Sequence, residues 1–279
     1  MMIYVTQQCR YGTMIFNRND DTIGKSLIQY GEWSEAETFL FSQILRPGDA
    51  AVEIGANIGS HTVMLSQAVG DAGAVFAFEP QRHVFQVLCA NLVINHCLNV
   101  YASQCAIGDA DGMIDFPAID PRHPNNFGAT SIYLKNTELE RISIKRLDSI
   151  DFRRIDFLKA DVEGFELNVL RGGLQTIERH RPILHLEYLN HYTGDESRRY
   201  LDLLSPMDYR LWYYITPLYN RDNFLKNQDN IFEGIWSFDA IAIPAERGEM
   251  QGLHEIKASD DHVRCDDGEQ WRSAKYIRY

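Results

Sequence analysis

Short apolar runs alternate with stretches of helical periodicity between residues 50 and 244. Runs of this kind, bounded by glycine, proline or acidic residues, are typical of buried strands, and their alternation with helices predicts a parallel sheet covered by helices. The runs predict main strands at residues 51–54, 74–78, 101–107, 155–161, 182–188, 211–215 and 235–243, with a short β segment at 142–144. We therefore expect one α/β domain over residues 50–244.

Apolar residues spaced three and four apart predict the helices between these strands. They fall within residues 64–69, 85–92, 167–177 and 201–204. A helix-like stretch at 34–45 lies in the segment 1–49, which we interpret as an N-terminal cap or lid. A loop rich in Pro, Asn and Gly spans residues 117–137, and a connection of this length is usually functional or mobile, so we expect it on the substrate side. Residues 245–279 form a polar C-terminal tail.

The net charge of the chain limits the kinds of partner that we expect it to bind. Lys and Arg total 27 against 39 Asp and Glu, which gives a formal net charge of −12. This charge disfavours binding to nucleic acid or to anionic lipid, so the expected partner is a small molecule. The five cysteines lack CxxC or zinc-type spacing, and no apolar run reaches the ~18 residues of a membrane span. We expect a cytoplasmic protein, and a homo-oligomer stays open.

The most informative segment is the glycine turn after the first strand, EIGANIGSH at residues 53–61. Glycines allow a tight turn, and the following helix N-terminus offers free N–H groups to a ligand. Glu79 ends the second strand roughly 20 residues later, where nucleotide-binding α/β folds place a carboxylate on the ribose hydroxyls. A dinucleotide turn needs glycine where this chain has Asn57, and Glu53 suits the ammonium and sulfonium groups of S-adenosylmethionine better than a pyrophosphate. The pattern favours S-adenosylmethionine over NAD.

Four segments resemble those of the FkbM methyltransferases, within the class I S-adenosylmethionine-dependent fold. They are VEIGANIGSH at residues 52–61, AFEP at 77–80 followed by NLVIN at 91–95, LKADVEGFELNVLRGG at 158–173, and RPILHLEY at 181–188. The resemblance covers about residues 30–244. It implies a Rossmann-like, seven-stranded, mostly parallel sheet with helices on both faces and an antiparallel last strand. It also implies transfer of a methyl group, typically to a hydroxyl oxygen.

The resemblance implies a cofactor site as well. Glu53 and Gly55 would line the methionine half of the cofactor, Glu79 the ribose, and the connection after the third strand the adenine. The expected cofactor residues are Tyr30, Glu53, Gly55, Asn57, Gly59, Ser60, His61, Glu79, Pro80, Ala106, Ile107 and Asp161. The chain departs from the family pattern at Glu53, where relatives often have Asp. It also departs at Ser34, which precedes Glu35 in an N-terminal motif and leaves the role of that Glu open.

Four residues are candidates for catalysis, because open α/β sheets bind ligands at the carboxyl ends of their strands. Lys159 and Asp161 share one face of the fourth main strand, and His185 and Glu187 share one face of the fifth. His185 is the preferred general base, since an imidazole titrates near ~6.5, but a packed core histidine is an equal alternative. Lys159 alternatively forms a structural pair with Asp161 or Glu163. No metal is favoured; if one binds, Asp161 and Glu187 would hold it.

The predicted activity is S-adenosylmethionine-dependent O-methylation of a small or medium metabolite, such as a sugar, polyketide, peptide or other secondary metabolite. Asn126, Phe127 and Gly128 of the long loop, together with Glu163, are expected to contact this hydroxyl acceptor. An ordinary polar turn is the alternative interpretation of the loop residues. Two other functions stay open: an NAD-dependent dehydrogenase and a non-catalytic module that only binds S-adenosylmethionine.

Overall fold

The structure is a computed structural model that describes residues 2–134, 138–188, 196–257 and 270–279. Cys265 and residues 135–137 of the predicted substrate-side loop lie outside these ranges. The strands are β1 (Tyr4–Cys9), β2 (Gly12–Asn17), β3 (Ala50–Ile54), β4 (Ala74–Phe78), β5 (Val100–Ser103), β6 (Ala106–Ile107), β7 (Gly112–Pro117), β8 (Leu139–Lys145), β9 (Phe157–Ala160), β10 (Ile183–Glu187), β11 (Tyr209–Pro217), β12 (Trp236–Pro244), β13 (Gly248–Gln251) and β14 (Lys275–Arg278). The helices are α1 (Ile23–Tyr30), α2 (Glu35–Ile44), α3 (Ser60–Val69), α4 (Arg82–Ile94), α5 (Glu166–Arg171), α6 (Leu174–His180), α7 (Glu196–Leu204) and α8 (Gln270–Ser273).

Seven strands form the main sheet, in the order β11-β12-β10-β9-β3-β4-β5. The four pairs from β10 to β5 are parallel. Only β12 reverses direction within this sheet, because it pairs antiparallel with both β10 and β11. The predicted Rossmann-like α/β fold with an antiparallel last strand is therefore confirmed.

Helices cover both faces of this sheet. On one face Val52, Leu158 and Leu184 pack with apolar side chains of α5, α6 and α7. On the other face Ala51 and Phe157 pack with side chains of α2 and α3. Successive side chains of a strand point to opposite faces, so a strand that is buried on both faces has a continuous apolar run. That burial explains why the strands were detectable as unbroken runs in the sequence.

The third predicted strand, residues 101–107, is two strands in the structure. β5 ends at Ser103, whose backbone oxygen accepts the Cys105 N–H at 3.1 Å and bends the chain. β6 then leaves the main sheet and pairs with β8, which also pairs with β7, in a small three-stranded sheet. The bend directs Cys105, Ala106 and Ile107 to the cleft described below.

The helix predicted within residues 167–177 is also divided. α5 ends before Gly172 and α6 begins after Gly173. A Cβ added at Gly172 would lie 1.8 Å from the Gly108 backbone oxygen, so the chain there passes against another backbone segment. The apolar periodicity continued across the break because both helices pack on the same face of the sheet.

The N-terminal and C-terminal segments each add a two-stranded sheet that the sequence analysis did not predict. β1 pairs with β2, and β13 pairs with β14, both antiparallel. The helix expected at 34–45 is present as α2, and Phe39 of α2 meets Trp271 of α8 edge-on at 5.5 Å. Among the described helices, none combines the length and apolar character needed to cross a bilayer.

Candidate active site

A cleft of about 610 Å³ opens at the carboxyl ends of β3, β4, β9 and β10. Small-molecule sites commonly occupy about 300–1,000 Å³, and open α/β sheets bind ligands at this edge. Most of the residues predicted to bind cofactor or acceptor, or to act in catalysis, line the cleft. They are Glu53, Gly55, Asn57, Ser60, His61, Glu79, Pro80, Ala106, Ile107, Asn126, Gly128, Lys159, Asp161, Glu163 and Glu187.

The glycine turn between β3 and α3 forms one wall of the cleft. Gly55 has a φ of +83°, and a Cβ added there would lie 1.9 Å from the backbone oxygen of Asp161, so a side chain does not fit. Asn57 has a φ of 49°, a left-handed conformation that Asn tolerates better than most residues. Its backbone N–H donates to Glu79 Oε2 at 3.0 Å. The turn is therefore held against the ends of β4 and β9.

Glu53 is a buried carboxylate on β3 at the floor of the cleft. The Thr62 hydroxyl donates to its Oε2 at 2.6 Å. Burial raises the pKa of Glu53 to about 7, although the Lys159 ammonium acts in the opposite direction. A cation placed against this carboxylate would favour its charged form and would itself be stabilised. The site thus fits the ammonium group of a bound amino acid.

Glu79 is held in one orientation by two backbone donors. Its Oε1 accepts the Gln81 N–H at 2.8 Å and its Oε2 accepts the Asn57 N–H at 3.0 Å. Burial raises its pKa to about 7, against the lowering effect of those hydrogen bonds. Each carboxylate oxygen keeps a second lone pair, so the group can also accept two hydroxyls of a ribose. Glu53 and Glu79 together fit the ammonium group and the ribose of S-adenosylmethionine.

Lys159 and Asp161 form an ion pair at the centre of the cleft floor. Lys159 Nζ lies 2.7 Å from Asp161 Oδ2, and the lysine side chain is 2% exposed. Burial by itself would lower the pKa of Lys159, but Asp161, Glu37 and Glu53 raise it above its ordinary value. The ammonium is therefore a fixed positive charge among carboxylates.

Three carboxylates, Asp161, Glu163 and Glu187, meet beside this ion pair. One oxygen from each lies within 4.8 Å of the others. The Glu163 N–H donates to Glu187 Oε2 at 3.1 Å, and Glu163 has a φ of 55°, a costly conformation for a residue with a side chain. Burial and the neighbouring Asp161 raise the pKa of Glu163 to about 8 and that of Glu187 well above its usual range. Within this trio, Glu163 and Glu187 in their ionised forms are basic enough to accept a proton near neutral pH.

The sequence model of the Methyltransferase FkbM domain matches residues 53–211, more than half of the chain. The protein belongs to the FkbM methyltransferase family. Among curated relatives, it is 25% identical to Methyltransferase 1 of Beauveria bassiana (strain ARSEF 2860) over 43% of this chain and 57% of that protein. It is 30% identical to Methyltransferase sdnD of Sordaria araneosa over 43% of this chain and 59% of that protein. The chain thus spans under two thirds of the length of either relative.

A solved structure is similar to this FkbM domain. The crystal structure of Methyltransferase FkbM from Methylobacillus flagellatus KT has a TM-score of 0.47 and 18% identity, with 74% of this chain and 50% of that chain covered.

His185, the preferred general base, is not brought to the cleft of this FkbM domain. Its side chain is 0% exposed, and its ring lies edge-on to Phe41 at 5.0 Å. Burial, with a smaller effect of the Lys159 charge, holds the pKa of His185 well below its usual value. The prediction of a general base at His185 therefore requires correction, because an acceptor in the cleft has no contact with this ring.

Three predicted ligand residues support the walls of the cleft without lining it. The Tyr30 hydroxyl donates to the Asp229 carbonyl and accepts the Ile231 N–H, both at 2.8 Å, so it positions the segment that carries Ile231 into the cleft. Gly59 is the N-cap residue of α3, and it packs closely against Leu88. Phe127 is buried, and its carbonyl accepts Gln81 Nε2 at 2.8 Å. These residues act on the site through their neighbours.

The N-terminal segment contributes residues that the sequence analysis did not assign. Glu35, whose role was open, accepts the Tyr11 hydroxyl at 2.8 Å and does not line the cleft. Glu37 lines the cleft instead, and the Ser34 hydroxyl donates to it. The spacing of Ser34 and Glu37 is that of a helix capping box, a signal that was present in the sequence. Aromatic residues also line the cleft, namely Trp33 of the N-terminal segment and, further along the chain, Phe165, Phe232, Trp236 and Phe238.

Proposed function

We propose that this protein is an S-adenosylmethionine-dependent methyltransferase that methylates a hydroxyl oxygen of a small or medium metabolite. The observation that carries the proposal is one continuous cleft that is lined by the Glu53 and Glu79 carboxylates and also by the Asp161, Glu163 and Glu187 carboxylates. The first pair suits the ammonium group and the ribose of the cofactor. The second set suits an acceptor that must lose a proton. Membership of the FkbM family supports methyl transfer as the reaction.

The cofactor side binds by charge and by hydrogen-bond acceptance. Glu79 accepts the two ribose hydroxyls, Glu53 pairs with the methionine ammonium, and the apolar segment at Ala106 and Ile107 borders the adenine. S-adenosylmethionine supplies a methyl group that is already activated on a sulfonium. The chain therefore has to hold the acceptor in line with that methyl group and to remove one proton.

Glu187 is the residue that we assign to proton removal. Its raised pKa makes its carboxylate a stronger base than an exposed glutamate, and its place in the trio lets Asp161 orient the same hydroxyl. The Lys159 ammonium holds Asp161 in place at 2.7 Å. Asn126 and Gly128 of the long loop lie on the same cleft and are suited to contact the rest of the acceptor.

The acceptor class follows from charge and size. The net charge of −12 disfavours nucleic acid and anionic membranes, and the cleft of about 610 Å³ takes a cofactor and a compact acceptor. Sugars, polyketides, peptides and other secondary metabolites with a free hydroxyl fit this description. The four described free cysteines suit the reducing conditions of the cytoplasm.

The test is calorimetric titration of the protein with S-adenosylhomocysteine, the demethylated product, and with NADH. We expect S-adenosylhomocysteine to bind and Glu79→Ala to abolish that binding, while Glu178→Gln, an exposed glutamate of α6, leaves it unchanged. Incubation with methyl-labelled S-adenosylmethionine and a panel of hydroxyl compounds should then give a methoxy signal by NMR. Binding of NADH alone would overturn the cofactor assignment. An N-methyl product would overturn only the assignment of the acceptor atom.

A further inference from the structure

A second polar cluster lies behind the cleft, between α2 and the main sheet. It consists of Glu37 on α2, His185 on β10 and Asp239 on β12, which are 4%, 0% and 3% exposed. His185 Nε2 lies 3.9 Å from Glu37 Oε2 and 3.9 Å from Asp239 Oδ2. One ligand atom from each side chain lies within 4.8 Å of the others. Three side chains of types that bind metals, from elements distant in sequence, thus meet at one buried point.

The polar atoms at this point lack partners within the part of the chain that the structure describes. Glu37 Oε2, His185 Nδ1 and His185 Nε2 make no hydrogen bond there. A buried polar atom without a partner costs free energy, and native proteins satisfy almost all of them. The surroundings of His185 are aromatic, with Phe41 and Tyr214 edge-on at 5.0 and 6.4 Å. The cluster therefore has free ligand atoms that an ion can use.

The charge balance indicates that this ligand is a cation. Glu37 and Asp239 share the interior with Glu53, and Lys159 is the buried ammonium beside them among the described residues. That ammonium already pairs with Asp161 at 2.7 Å. Buried carboxylates that are ionised require compensating positive charge, and a divalent ion supplies two units at once.

Neighbouring hydroxyls orient the carboxylates. Ser34 Oγ donates to Glu37 Oε1, which leaves the unpartnered Oε2 on the side of His185. Ser237 Oγ donates to Asp239 Oδ2 at 2.8 Å. Such contacts around a ligand set fix the direction of its oxygens and are a regular feature of protein metal sites. Glu37 also lines the cleft, which gives an ion a route to the cluster.

We propose that Glu37, His185 and Asp239 bind one divalent transition-metal ion, of the Zn²⁺ or Mn²⁺ type, which fastens α2 to β10 and β12. One imidazole with two carboxylates suits these ions, whereas Mg²⁺ prefers oxygen ligands only. Two metal–ligand bonds of about 2.0–2.1 Å at a tetrahedral angle separate their ligand atoms by about 3.4 Å. The observed 3.9 Å closes to that spacing with small side-chain rotations.

The proposal is tested by calorimetric titration of the full chain, after treatment with a chelator and dialysis, with ZnCl₂, MnCl₂ and MgCl₂ in turn. We expect one equivalent of Zn²⁺ or Mn²⁺ to bind, with Mg²⁺ at least roughly 100-fold weaker. The melting temperature should rise by about 5 °C when the ion is at about 100 times its dissociation constant. Neither readout depends on methyl transfer, so the result is independent of the proposed function.

Two variants should lose the ion and two should keep it. His185→Asn and Asp239→Asn remove ligands and should reduce affinity at least roughly 100-fold. His123→Asn removes an exposed histidine that also lies beside a carboxylate, Asp120 at 3.4 Å, and should bind normally. Glu187→Gln should keep the ion as well, because Glu187 lies opposite Asp239 across β10 and β12 but is not one of the three proposed ligands.

Three outcomes would overturn the proposal. The first is a wild-type chain that binds neither Zn²⁺ nor Mn²⁺. The second is loss of the ion in Glu187→Gln with retention in His185→Asn, which would place the ion in the cleft. The third applies if the ligand variants do not fold, and it is measured by zinc-edge X-ray absorption of the loaded wild-type chain. Scattering from one imidazole supports the site, and a shell of oxygens alone contradicts it.

Discussion

The cofactor half of the cleft consists of Glu53, the glycine turn and Glu79, and the acceptor half consists of Asp161, Glu163, Glu187 and the loops around them. In the cofactor half each carboxylate accepts hydrogen bonds from its own neighbourhood, Thr62 for Glu53 and two backbone N–H groups for Glu79. In the acceptor half two carboxylates from the turn after β9 and one from the end of β10 lie close together. The first arrangement suits the proposed cofactor, which is the same in every reaction cycle. The second provides a base for the acceptor, and the surrounding loops determine which acceptor shape fits.

Gly55→Ala should have the largest effect, because it breaks the cofactor half at its tightest point. A Cβ would lie 1.9 Å from the Asp161 backbone oxygen at a φ of +83°. We expect loss of S-adenosylhomocysteine binding and a decrease of about 4 kcal/mol in the free energy of unfolding, measured by calorimetry and urea denaturation.

Gly48→Ala is the matched control for that substitution. Gly48 has a φ of +90°, but a Cβ there meets nothing within 4 Å. The backbone conformation alone should cost about 1–2 kcal/mol, with binding unchanged. Equal losses in the two variants would show that the close approach to Asp161 is unimportant for the cofactor half.

The sequence located the lining of the cofactor half better than the lining of the acceptor half for a physical reason. Gly55, Asn57 and Glu79 are set by the local chemistry of one turn and one strand end, so a short motif specifies them. The acceptor half depends on long-range packing that no local pattern encodes. Glu37 reaches the cleft from α2, and Trp236 from the start of β12.

The burial of His185 is a second feature that a local sequence pattern does not encode. Strand periodicity correctly placed it on one face with Glu187, since both belong to β10. Periodicity does not say how far along the strand the cleft extends, and Phe41 of α2 covers the ring. The division of residues 101–107 into β5 and β6 was equally invisible, because an apolar run does not reveal where a chain changes sheets.

Glu187→Gln should impair the acceptor half and leave the cofactor half unchanged. We expect kcat for methyl transfer to fall about 100-fold, since general-base catalysis contributes about 10²–10⁴-fold, while the affinity for S-adenosylhomocysteine stays within about threefold. Steady-state kinetics and calorimetry on the same preparation measure both quantities, and Glu178→Gln on the exposed face of α6 serves as the control. An equal loss of cofactor affinity would mean that the halves are one electrostatic unit.

The pH dependence of cofactor binding should report on the cofactor half alone. Burial raises the pKa of Glu53 and of Glu79 to about 7, so both lose their charge as the pH falls below that value. Affinity for S-adenosylhomocysteine should therefore increase with pH, by up to about tenfold per unit for each group, and level off above about 7. The same shifts make the free protein less stable as the pH rises from about 4.5 to about 7, because the folded state then holds more protons than the unfolded chain.

Calorimetric titrations at pH 5.5, 6.5 and 7.5 measure this dependence. In Glu53→Gln the part that belongs to Glu53 should disappear, which leaves a weaker and flatter profile. An affinity that falls as the pH rises would contradict the assignment of an ionised carboxylate to the ammonium group.

Tyr30→Phe should have the smallest effect and tests where the boundary between the halves lies. The resemblance to the family placed Tyr30 on the cofactor, whereas the structure has its hydroxyl between the Asp229 carbonyl and the Ile231 N–H, which orders a wall of the cleft. Loss of the hydroxyl leaves that N–H unpaired, so we expect a decrease in stability of about 1 kcal/mol and an increase of about threefold in KM for the acceptor. Tyr101→Phe, at an exposed tyrosine of β5, should change neither quantity. If Tyr30→Phe instead weakens S-adenosylhomocysteine binding with KM for the acceptor unchanged, Tyr30 belongs to the cofactor half, and the wall at Ile231 would have to be assigned to the cofactor as well.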